Sequence, residues 1–387
     1  MIIPFSKVPL TGNELRYIDE VLKSGWLTTS SKALQFEKLF ADFVGAKYAC
    51  AVNSCTSALH LAVDAVGIKP GDKILVPSLT FTASAEILRY MGADPAFIDV
   101  EYGTGLISPS IIKSALKVNP GIKAIIIVHY GGQSPIMTTR EEEGIIDICR
   151  KNKIIVIEDA AHAFPTKFEN QYIGSFGNVT CFSFYANKTI TTGEGGMLVT
   201  DDETIYQRAK IMRLHGINHD IWERFTTNKS SWEYDIVSPG FKYNMPDINA
   251  AIGLAQLEKA DYFRDQRQRC AEFYLSNLKD ISAIDLPICR GPIENHSWHL
   301  FPIIIKPESP FCRNKFIKMM TLNGIGTSVH YKPLHRMTYY KERYDLNPID
   351  FPNTEKIWNG TVSLPIYPTL NDDELSYICQ TIRKILS

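Results

Sequence analysis

The chain has 387 residues, 45% hydrophobic and 21% charged, which is long enough for one large domain with an extensive core and a smaller second domain. A formal net charge of -1 gives no reason to expect nucleic acid or an anionic membrane as a partner. No apolar run reaches the roughly eighteen residues that a membrane helix needs, and the first seven residues lack the features of a signal peptide. We therefore expect a cytoplasmic protein.

The cysteines and histidines give no sign of a disulfide framework or a metal site. The 8 cysteines are scattered without a C-x-x-C pair, and several, such as Cys149 and Cys379, lie in apolar segments. They are interpreted as reduced core thiols. His296 and His299 have the spacing of metal ligands, but no partner ligands are evident nearby, so no metal is expected.

The first half of the chain alternates between helical and extended patterns. Apolar residues recur at helical spacing over residues 11–23, and Ser24-Gly25 predicts the helix end. A strand over residues 48–52 and a helix running to Val66 follow. Further strands are predicted at residues 73–77, 94–100, 124–130, 154–162 and 179–184, and helices at residues 108–117, at residues 140–152 and ending near Gly92.

The predicted strands are continuously apolar and are separated by helices, which indicates an α/β fold with a mostly parallel sheet covered on both faces. Ligands of such sheets bind beyond the carboxyl ends of the strands. Polar or aromatic groups follow several of these strands, and we expect them to share one pocket: residues 53–57, Thr80, Phe81, Gln133, Asp159, His162 and Lys188.

The second half predicts a smaller domain. Residues 198–202 close the first region, and residues 215–243 are irregular and rich in aromatics, as is typical of a functional or interface segment. A helical pattern over residues 247–279 leads to a strand at 298–306, a helix at 312–323, a strand at 327–331 and a last helix at 372–386. We expect a large domain of residues 1–250 and a small domain of residues 251–387.

Lys188 and Asp159 are the candidate reactive groups. Lys188 follows a buried strand and enters a Gly-rich turn. In apolar surroundings its pKa would fall and supply the free amine that a Schiff-base lysine needs, although a strand-end lysine taken alone more often points into water. Asp159 ends another strand at the same predicted edge; taken alone, such an aspartate more often forms a structural salt bridge.

Together with two further features, this pair meets the needs of pyridoxal phosphate. The small polar residues 53–57 precede a helix, and a helix N-terminus is suited to phosphate, with an ordinary N-cap as the alternative. Phe81 lies at a similar strand–helix junction, where an aromatic ring can stack on a planar cofactor or belong to the core.

Four segments resemble the DegT-type nucleotide-sugar aminotransferases. They are residues 25–29 (Gly-Trp-Leu-Thr-Thr), 158–163 (Glu-Asp-Ala-Ala-His-Ala), 183–188 (Ser-Phe-Tyr-Ala-Asn-Lys) with Gly-Glu-Gly-Gly at 193–196, and 242–251 (Lys-Tyr-Asn-Met-Pro-Asp-Ile-Asn-Ala-Ala). The resemblance extends from Pro4 to about Leu386. It implies the aspartate-aminotransferase fold, a PLP-dependent transferase fold, with bound pyridoxal 5'-phosphate and a homodimer whose active sites lie at the subunit interface.

The resemblance also implies residue roles. The catalytic residues would be Lys188, which binds the cofactor aldehyde, Asp159, which pairs with the pyridine nitrogen, and His162, which lies near the phenolic oxygen. The other cofactor-binding residues would be Phe81 on the ring face, the phosphate ligands Cys55, Thr56 and Ser183, and Asn244 from the partner subunit. The residues expected near the sugar or its nucleotide are Thr29, Gln133, His330 and Tyr331.

Two positions depart from the family pattern. Ser30-Ser31-Lys32 replace the common Gly-Pro-Lys, so the loop over the substrate is expected to differ in shape. Tyr185 stands where several relatives have histidine. Residues 129–130, 215–222 and 234–244 are most similar to enzymes that aminate C4 of UDP-linked 4-keto sugars, such as the UDP-4-amino-4-deoxy-arabinose enzyme.

The expected reaction is therefore transfer of an amino group from L-glutamate to a nucleotide-linked keto sugar, with C4 of a UDP-4-keto sugar as the acceptor. Three different functions remain open: a C3 aminotransferase acting on a dTDP- or GDP-keto sugar, a PLP-dependent sugar dehydratase, and a non-catalytic PLP-binding regulator. Lys188 argues against the dehydratase, whose relatives lack this lysine, and the Asp159–Lys188 pair argues against the regulator.

Overall fold

The computed structural model describes residues 1–139, 143–218 and 234–387. The helices in these ranges are α1 (Glu14–Ser24), α2 (Ser31–Val44), α3 (Cys55–Ala65), α4 (Ala83–Tyr90), α5 (Pro109–Val118), α6 (Ile145–Lys151), α7 (Glu203–Met212), α8 (Asp247–Leu257), α9 (Ala260–Leu278), α10 (Arg313–Leu322), α11 (Thr338–Tyr344), α12 (Pro352–Gly360) and α13 (Asp372–Leu386). The strands are β1 (Tyr48–Val52), β2 (Lys73–Pro77), β3 (Asp94–Ile98), β4 (Ile122–Val128), β5 (Ile155–Asp159), β6 (Lys167–Phe168), β7 (Gln171–Tyr172), β8 (Val179–Ser183), β9 (Gly196–Thr200), β10 (Ile284–Asp285), β11 (Phe301–Ile305) and β12 (Thr361–Leu364).

The large sheet has the strand order β1-β9-β8-β5-β4-β2-β3. Of these seven strands, six run in the same direction and β9 runs in the opposite direction. The register pairs Val128 with Asp159 and Asp159 with Cys181. The carboxyl ends of β4, β5 and β8 therefore meet at one edge, where β9 begins.

Both faces of this sheet are buried, as the continuous apolar strands predict. Ile126 and Ile157 pack on the face covered by α3, α4 and α7. The alternate residues Ile125 and Ile127 pack on the other face with residues of α5 and α6. Since side chains alternate along a strand, burial on both faces makes the strand pattern largely apolar at successive positions.

The second domain is built on the three-stranded antiparallel sheet β10-β11-β12. Leu257 and Phe263 pack with the core next to the large sheet, whereas Cys270 and Tyr274, further along α9, pack in the core of the small sheet. We propose that the domain boundary lies within α9, a little beyond the expected division after residue 250. The two domains are joined by hydrogen bonds such as Ser78 Oγ to His335 Nδ1, 2.6 Å.

The continuous helix expected over residues 247–279 is wrong, because the chain breaks between α8 and α9. The link is held by α1: Asn13 Nδ2 donates to Glu258 (2.7 Å), and Lys259 Nζ pairs with Glu14 (2.8 Å). These two contacts orient consecutive residues toward the same neighbouring helix. The chain therefore does not form the single continuous helix that the apolar pattern predicted.

Two other segments differ from the sequence prediction. Residues 327–331 form no strand and pair only through a single bridge between Ser328 and Ser363. The carbonyl of His330 accepts instead from the Tyr130 hydroxyl (2.6 Å). The helix expected from residue 140 begins at Ile145; residues 140–142 lie outside the described residues, as do residues 219–233 of the irregular segment. No helix in the described ranges is long and apolar enough to cross a bilayer.

Candidate active site

A cavity of about 370 Å³ opens at the carboxyl edge of the large sheet. The N-terminus of α3, the residues before α4, the end of β5 and the β8–β9 loop form its walls together with a segment of the second domain. The expected site residues that line it are Cys55, Thr56, Phe81, Asp159, His162, Ser183, Lys188, His330 and Tyr331.

Lys188 is held on a closed loop between β8 and β9. Its backbone N–H donates to the Tyr185 carbonyl (3.0 Å), and Phe184 N–H donates to Gly195 across the base of the loop (2.9 Å). Burial lowers the pKa of the Lys188 amine to about 8, whereas Cys55 and Asp159 raise this pKa and partly oppose the effect of burial. The lysine therefore becomes a free amine close to neutral pH.

Asp159, the last residue of β5, presents a buried carboxylate. Its Oδ2 accepts from Ser84 Oγ (2.6 Å) and its Oδ1 from the backbone N–H of Ala161 (3.1 Å). Burial raises the pKa of this carboxyl group, and these two hydrogen bonds and the nearby Lys188 oppose the rise. Both oxygens are thus fixed in direction.

The preceding residue forms a second buried group that the sequence analysis missed. Glu158 Oε2 contacts His129 Nε2 (2.8 Å), and its Oε1 accepts from Gly177 N–H (2.7 Å) and the Thr180 hydroxyl (2.9 Å). His129 borders the cavity. A glutamate inside an apolar strand was the available signal, because a carboxylate there needs partners.

The hydrogen bonds of His162 define its tautomer. Gly131 N–H donates to Nδ1 (3.3 Å), so Nδ1 carries a lone pair and the proton of the neutral ring lies on Nε2. Nε2 is 2.9 Å from the Tyr331 hydroxyl oxygen. Burial lowers the His162 pKa well below its usual value, so the ring is neutral. Tyr331 accepts this bond, and its own proton is available to a further acceptor.

Two more residues of the site were not predicted. The His299 ring lies against His162, with a distance of 4.3 Å between the ring centroids. Asn187 borders the cavity, and its buried Oδ1 has no hydrogen-bond partner among the described residues. Asn187 belongs to the motif that identified Lys188, but the motif alone gave no reason to assign it a contact.

The N-terminus of α3 lies directly against the start of β9. Ser54 is the N-cap, and its Oγ accepts from Ser57 N–H (3.1 Å). A Cβ at Gly196 would lie 2.5 Å from the Ser54 carbonyl carbon, so only glycine allows this approach. The first N–H groups of a helix lack intrahelical acceptors, which makes this corner of the cavity suitable for phosphate.

Three expected site residues do not line the cavity. Asn244 Nδ2 donates to Thr29 Oγ1 (2.7 Å), which donates to the Met245 carbonyl (2.6 Å). Gln133 is buried and bonds to the second domain: its Nε2 donates to Ile288 O, and its Oε1 accepts from Arg290 N–H, both at 3.0 Å. Within a single chain, therefore, Thr29, Asn244 and Gln133 do not border the cavity that contains Lys188.

The departure at Ser30 is explained by a helix cap. Ser30 N–H and Oγ each donate to a different oxygen of Asp247, both at 2.7 Å, and Ala33 N–H donates to Oδ1 (3.0 Å). A carboxylate in this position caps α2 and interacts favourably with its dipole. Serine therefore fits this loop through side-chain bonds to α8.

The residues around the cavity fit pyridoxal phosphate: a lysine amine of lowered pKa, a buried carboxylate, an exposed aromatic ring and a helix N-terminus beside a required glycine. The unpartnered Asn187 oxygen indicates room for a polar ligand group in the same cavity. Fold and site together define a PLP-dependent aminotransferase.

Comparison with known proteins identifies the family. Residues 9–383 match the DegT/DnrJ/EryC1/StrS aminotransferase family. The spore coat polysaccharide biosynthesis protein SpsC of Bacillus subtilis is 40% identical over 387 residues, which cover 99% of this chain and 97% of that protein. The uncharacterized protein MJ1066 of Methanocaldococcus jannaschii is 40% identical over 375 residues, 97% of this chain and 95% of that protein.

Solved structures agree with this assignment. Helicobacter pylori PseC, an aminotransferase involved in the biosynthesis of pseudaminic acid, has a TM-score of 0.89 at 28% identity, covering 100% of this chain and 99% of its own. The PLP form of the putative sugar aminotransferase Spr1654 from Streptococcus pneumoniae has a TM-score of 0.87 at 28% identity, covering 100% of both chains. The chain belongs to the DegT/DnrJ/EryC1/StrS aminotransferase family. It is a PLP-dependent aminotransferase of nucleotide-linked sugars.

Proposed function

We propose that this enzyme transfers the amino group of L-glutamate to C4 of a UDP-linked 4-keto sugar. The observation that carries the chemistry is the placement of the Lys188 amine and the Asp159 carboxylate around one cavity. The preference for C4 and for uridine is supported by the sequence similarity at residues 129–130 and 234–244. Part of the third similar segment, residues 215–222, lies outside the described residues.

Pyridoxal phosphate, when bound, supplies an aldehyde that joins an amine and a ring that accepts electrons. The Lys188 amine, with a pKa of about 8, would bind that aldehyde as the free amine and would move a proton as general base and general acid. Asp159 would hold a proton on the ring nitrogen through its fixed carboxylate. His162 Nε2–H donates to the Tyr331 hydroxyl, and the bond from Gly131 N–H to Nδ1 holds the imidazole in this orientation beside the cavity.

The remaining residues divide between the two ends of the cavity. Cys55, Thr56 and Ser183 would hold the phosphate, next to the N-terminus of α3. Phe81, which is 55% exposed, would stack on the ring, and its own ring lies 5.8 Å from that of Tyr331. His330 and Tyr331 would face the sugar. The expected contact of Gln133 with the sugar or its nucleotide stays a prediction.

A panel of keto sugars tests the acceptor. The enzyme is first converted with glutamate to its amine-loaded form, and UDP-, GDP- and dTDP-linked 3-keto and 4-keto sugars are then added singly. We expect the UDP-4-keto sugar to restore the absorbance of the starting form fastest. If a dTDP- or GDP-linked 3-keto sugar restores this absorbance fastest instead, the proposed acceptor is wrong and the enzyme is a C3 aminotransferase.

The same experiment distinguishes an aminotransferase from a regulator or a dehydratase. A spectrum that does not respond to glutamate would indicate a regulator. Loss of a hydroxyl without amine transfer would indicate a dehydratase. Lys188→Ala is the control: it should abolish both turnover and the covalent cofactor signal, and a fully active variant would contradict the mechanism.

We further propose a homodimer in which Thr29 and Asn244 act at the partner's site. Two features support this: neither residue lines the cavity of its own chain, and large apolar side chains are exposed nearby on the N-terminal helices, such as Leu15 (84%) and Leu22 (57%). Mixing Lys188→Ala and Asn244→Ala subunits tests it. If each variant is inactive, random exchange should restore about a quarter of wild-type activity, because half of the dimers regain one intact site. An inactive mixture of exchanged dimers would rule out the shared site.

A further inference from the structure

A chain of three buried oxygen groups ends on the Asp159 carboxylate. Thr80 Oγ1 lies 2.7 Å from Ser84 Oγ, which lies 2.6 Å from Asp159 Oδ2. The exposed fractions of Thr80, Ser84 and Asp159 are 1%, 0% and 6%. Water therefore has little access to these contacts, and the two hydroxyl groups must satisfy each other and the carboxylate.

The direction of the two bonds follows from the protons available. An ionised carboxylate can only accept, so Ser84 must donate its single hydroxyl proton to Asp159. Ser84 then has only lone pairs to offer Thr80, so Thr80 must be the donor of the second bond. Donation by Thr80 polarises the Ser84 hydroxyl and strengthens its bond to the carboxylate.

The position of Ser84 is set by its helix. It lies in the first turn of α4 between Ala83 and Ala85, both of which are buried in the core on that face of the sheet. Asp159 is held from the other side by Ala161 N–H. One carboxylate oxygen is therefore fixed by its own loop and the other by α4.

We propose that Thr80 and Ser84 form a one-way hydrogen-bond relay that fixes the orientation and the charge of the Asp159 carboxylate. They are positioning residues for the cofactor, since they act through Asp159. The inference rests on the proposed pairing of Asp159 with the cofactor ring.

Several other groups face Asp159 and contribute to its charge state. Lys188 on the β8–β9 loop and His129 after β4 favour the ionised form. Cys55 on α3, Cys181 on β8 and Tyr331 of the second domain interact with it as acids whose pKa values are raised by burial. Glu158 is turned toward His129 and Gly177. The hydroxyl groups of Thr80 and Ser84 are uncharged hydrogen-bond donors that act on Asp159 in addition to these titratable groups.

The test measures the affinity of the apoenzyme for pyridoxal phosphate as a function of pH, by quenching of tryptophan fluorescence. Without the Ser84 donor the Asp159 pKa should rise, so the carboxylate protonates at a higher pH. For Ser84→Ala we expect about tenfold weaker binding at acidic pH and a shift of the acidic limb of the profile by about one pH unit upward. Thr80→Val should shift it in the same direction by less, and Thr80→Ser should retain the wild-type profile.

The control is Ser108→Ala, which removes another buried serine (3% exposed) paired with a hydroxyl, that of Ser110, away from the cavity. It should bind the cofactor as the wild type does. Circular dichroism reports whether each variant folds; if Ser84→Ala does not, the comparison of Thr80→Val with Thr80→Ser decides. A wild-type profile for Thr80→Val and Ser84→Ala would overturn the relay.

Asp159→Asn distinguishes failure of the relay from failure of the proposed role. If Asp159→Asn weakens cofactor binding and Ser84→Ala does not, the relay is wrong and the role of Asp159 stands. If Asp159→Asn binds the cofactor as tightly as the wild type at every pH, the pairing itself is wrong, and the relay loses its purpose.

Discussion

At Lys188 the cost of burying a cation sets the reactivity of the amine. Burial lowers its pKa from the usual value of 10.5 to about 8, even though Asp159 and Cys55 pull the other way. Taken alone, a strand-end lysine in the sequence is more often solvated. Its neighbours in space, such as Cys55, Asp159 and Arg267, come from separate parts of the chain and decide between the two outcomes.

This pKa predicts how covalent attachment depends on pH. The free amine is the reactive form and is present above its pKa. Trapping of pyridoxal phosphate on Lys188 by borohydride should therefore rise with pH, reach half of its maximum near pH 8 and then level off. Lys23, whose pKa is raised by Asp19, serves as the internal control and should still gain label at higher pH. Labelling of Lys188 that keeps rising in parallel with Lys23 would contradict the lowered pKa. Peptide mass spectrometry measures both sites.

The tautomer of His162 gives Tyr331 a proton to donate, which predicts the effect of Tyr331→Phe. We expect about a tenfold loss of kcat/KM for the keto sugar, the scale of one hydrogen bond, with little change in the half-reaction with glutamate. Stopped-flow spectra measure the two half-reactions separately. Tyr274→Phe removes a hydroxyl bonded to Pro365 O (2.8 Å) in the second domain and should leave both unchanged. Equal losses in both half-reactions would contradict a role confined to the sugar.

At the scale of elements, the close contact between β9 and α3 is the most exacting feature. Gly196→Ala would place its Cβ 2.5 Å from the Ser54 carbonyl carbon and 2.6 Å from Cys55 N, which is backbone that cannot rotate away. The N-terminus of α3 must move, so we expect a loss of about 2 kcal/mol in stability and a loss of cofactor affinity. Urea unfolding and cofactor titration measure these.

Gly45→Ala is the matched control. Gly45 ends α2 with φ of 77°, and a Cβ there meets nothing within 4 Å. Backbone strain should cost about 1 kcal/mol of stability without any change in cofactor affinity. If both variants lose affinity alike, the contact with α3 has no special part in binding.

The sequence predicted the strands of the large sheet well because burial on both faces makes their apolar pattern continuous; β1 and β2 have the predicted bounds. It could not predict the break after α8, which depends on Glu14 and Asn13, more than two hundred residues earlier. It also assigned a strand to residues 327–331, since Val329 and Tyr331 alternate with polar residues, although Tyr331 serves the cavity.

For the site, the predicted strand ends placed Lys188, Asp159 and His162 in one expected pocket, and all three line the cavity. The motifs could not identify Ser84 or His299, because a serine inside a helix and a histidine before a strand are common. Their contacts appear only in the folded structure, where Ser84 on α4 donates to Asp159 at the end of β5 and His299 of the second domain lies against His162.

At the scale of the whole molecule, buried histidines make stability depend on pH. Burial lowers the pKa of His162, His296, His299 and His330, to about 3 for His296 and about 4 for His330. Each folded-state pKa is below the unfolded value near 6.5. The unfolded chain therefore binds more protons in acid, and this stability is present above pH 6.5 and lost below it.

We expect each of the four to cost about 1 kcal/mol of unfolding free energy between pH 6.5 and pH 5.5. Urea unfolding of the apoenzyme at pH 7.5, 6.5 and 5.5 measures the loss. His296→Asn, at a histidine that does not line the cavity, should reduce this loss by about 1 kcal/mol. A stability that is flat over this range would show that the histidines are solvated.

The cavity is lined by chain from Ser54 to Tyr331, and the second domain is tied to the large sheet through Ser78 and His335. Because the chain is made from its N-terminus, the surface that receives the cofactor is complete only after Tyr331 has been synthesised. Binding of the cofactor to the completed cavity would stabilise the folded chain by mass action. The absorbance of the bound cofactor, followed during refolding, would therefore measure the rate at which the second domain packs against the large sheet.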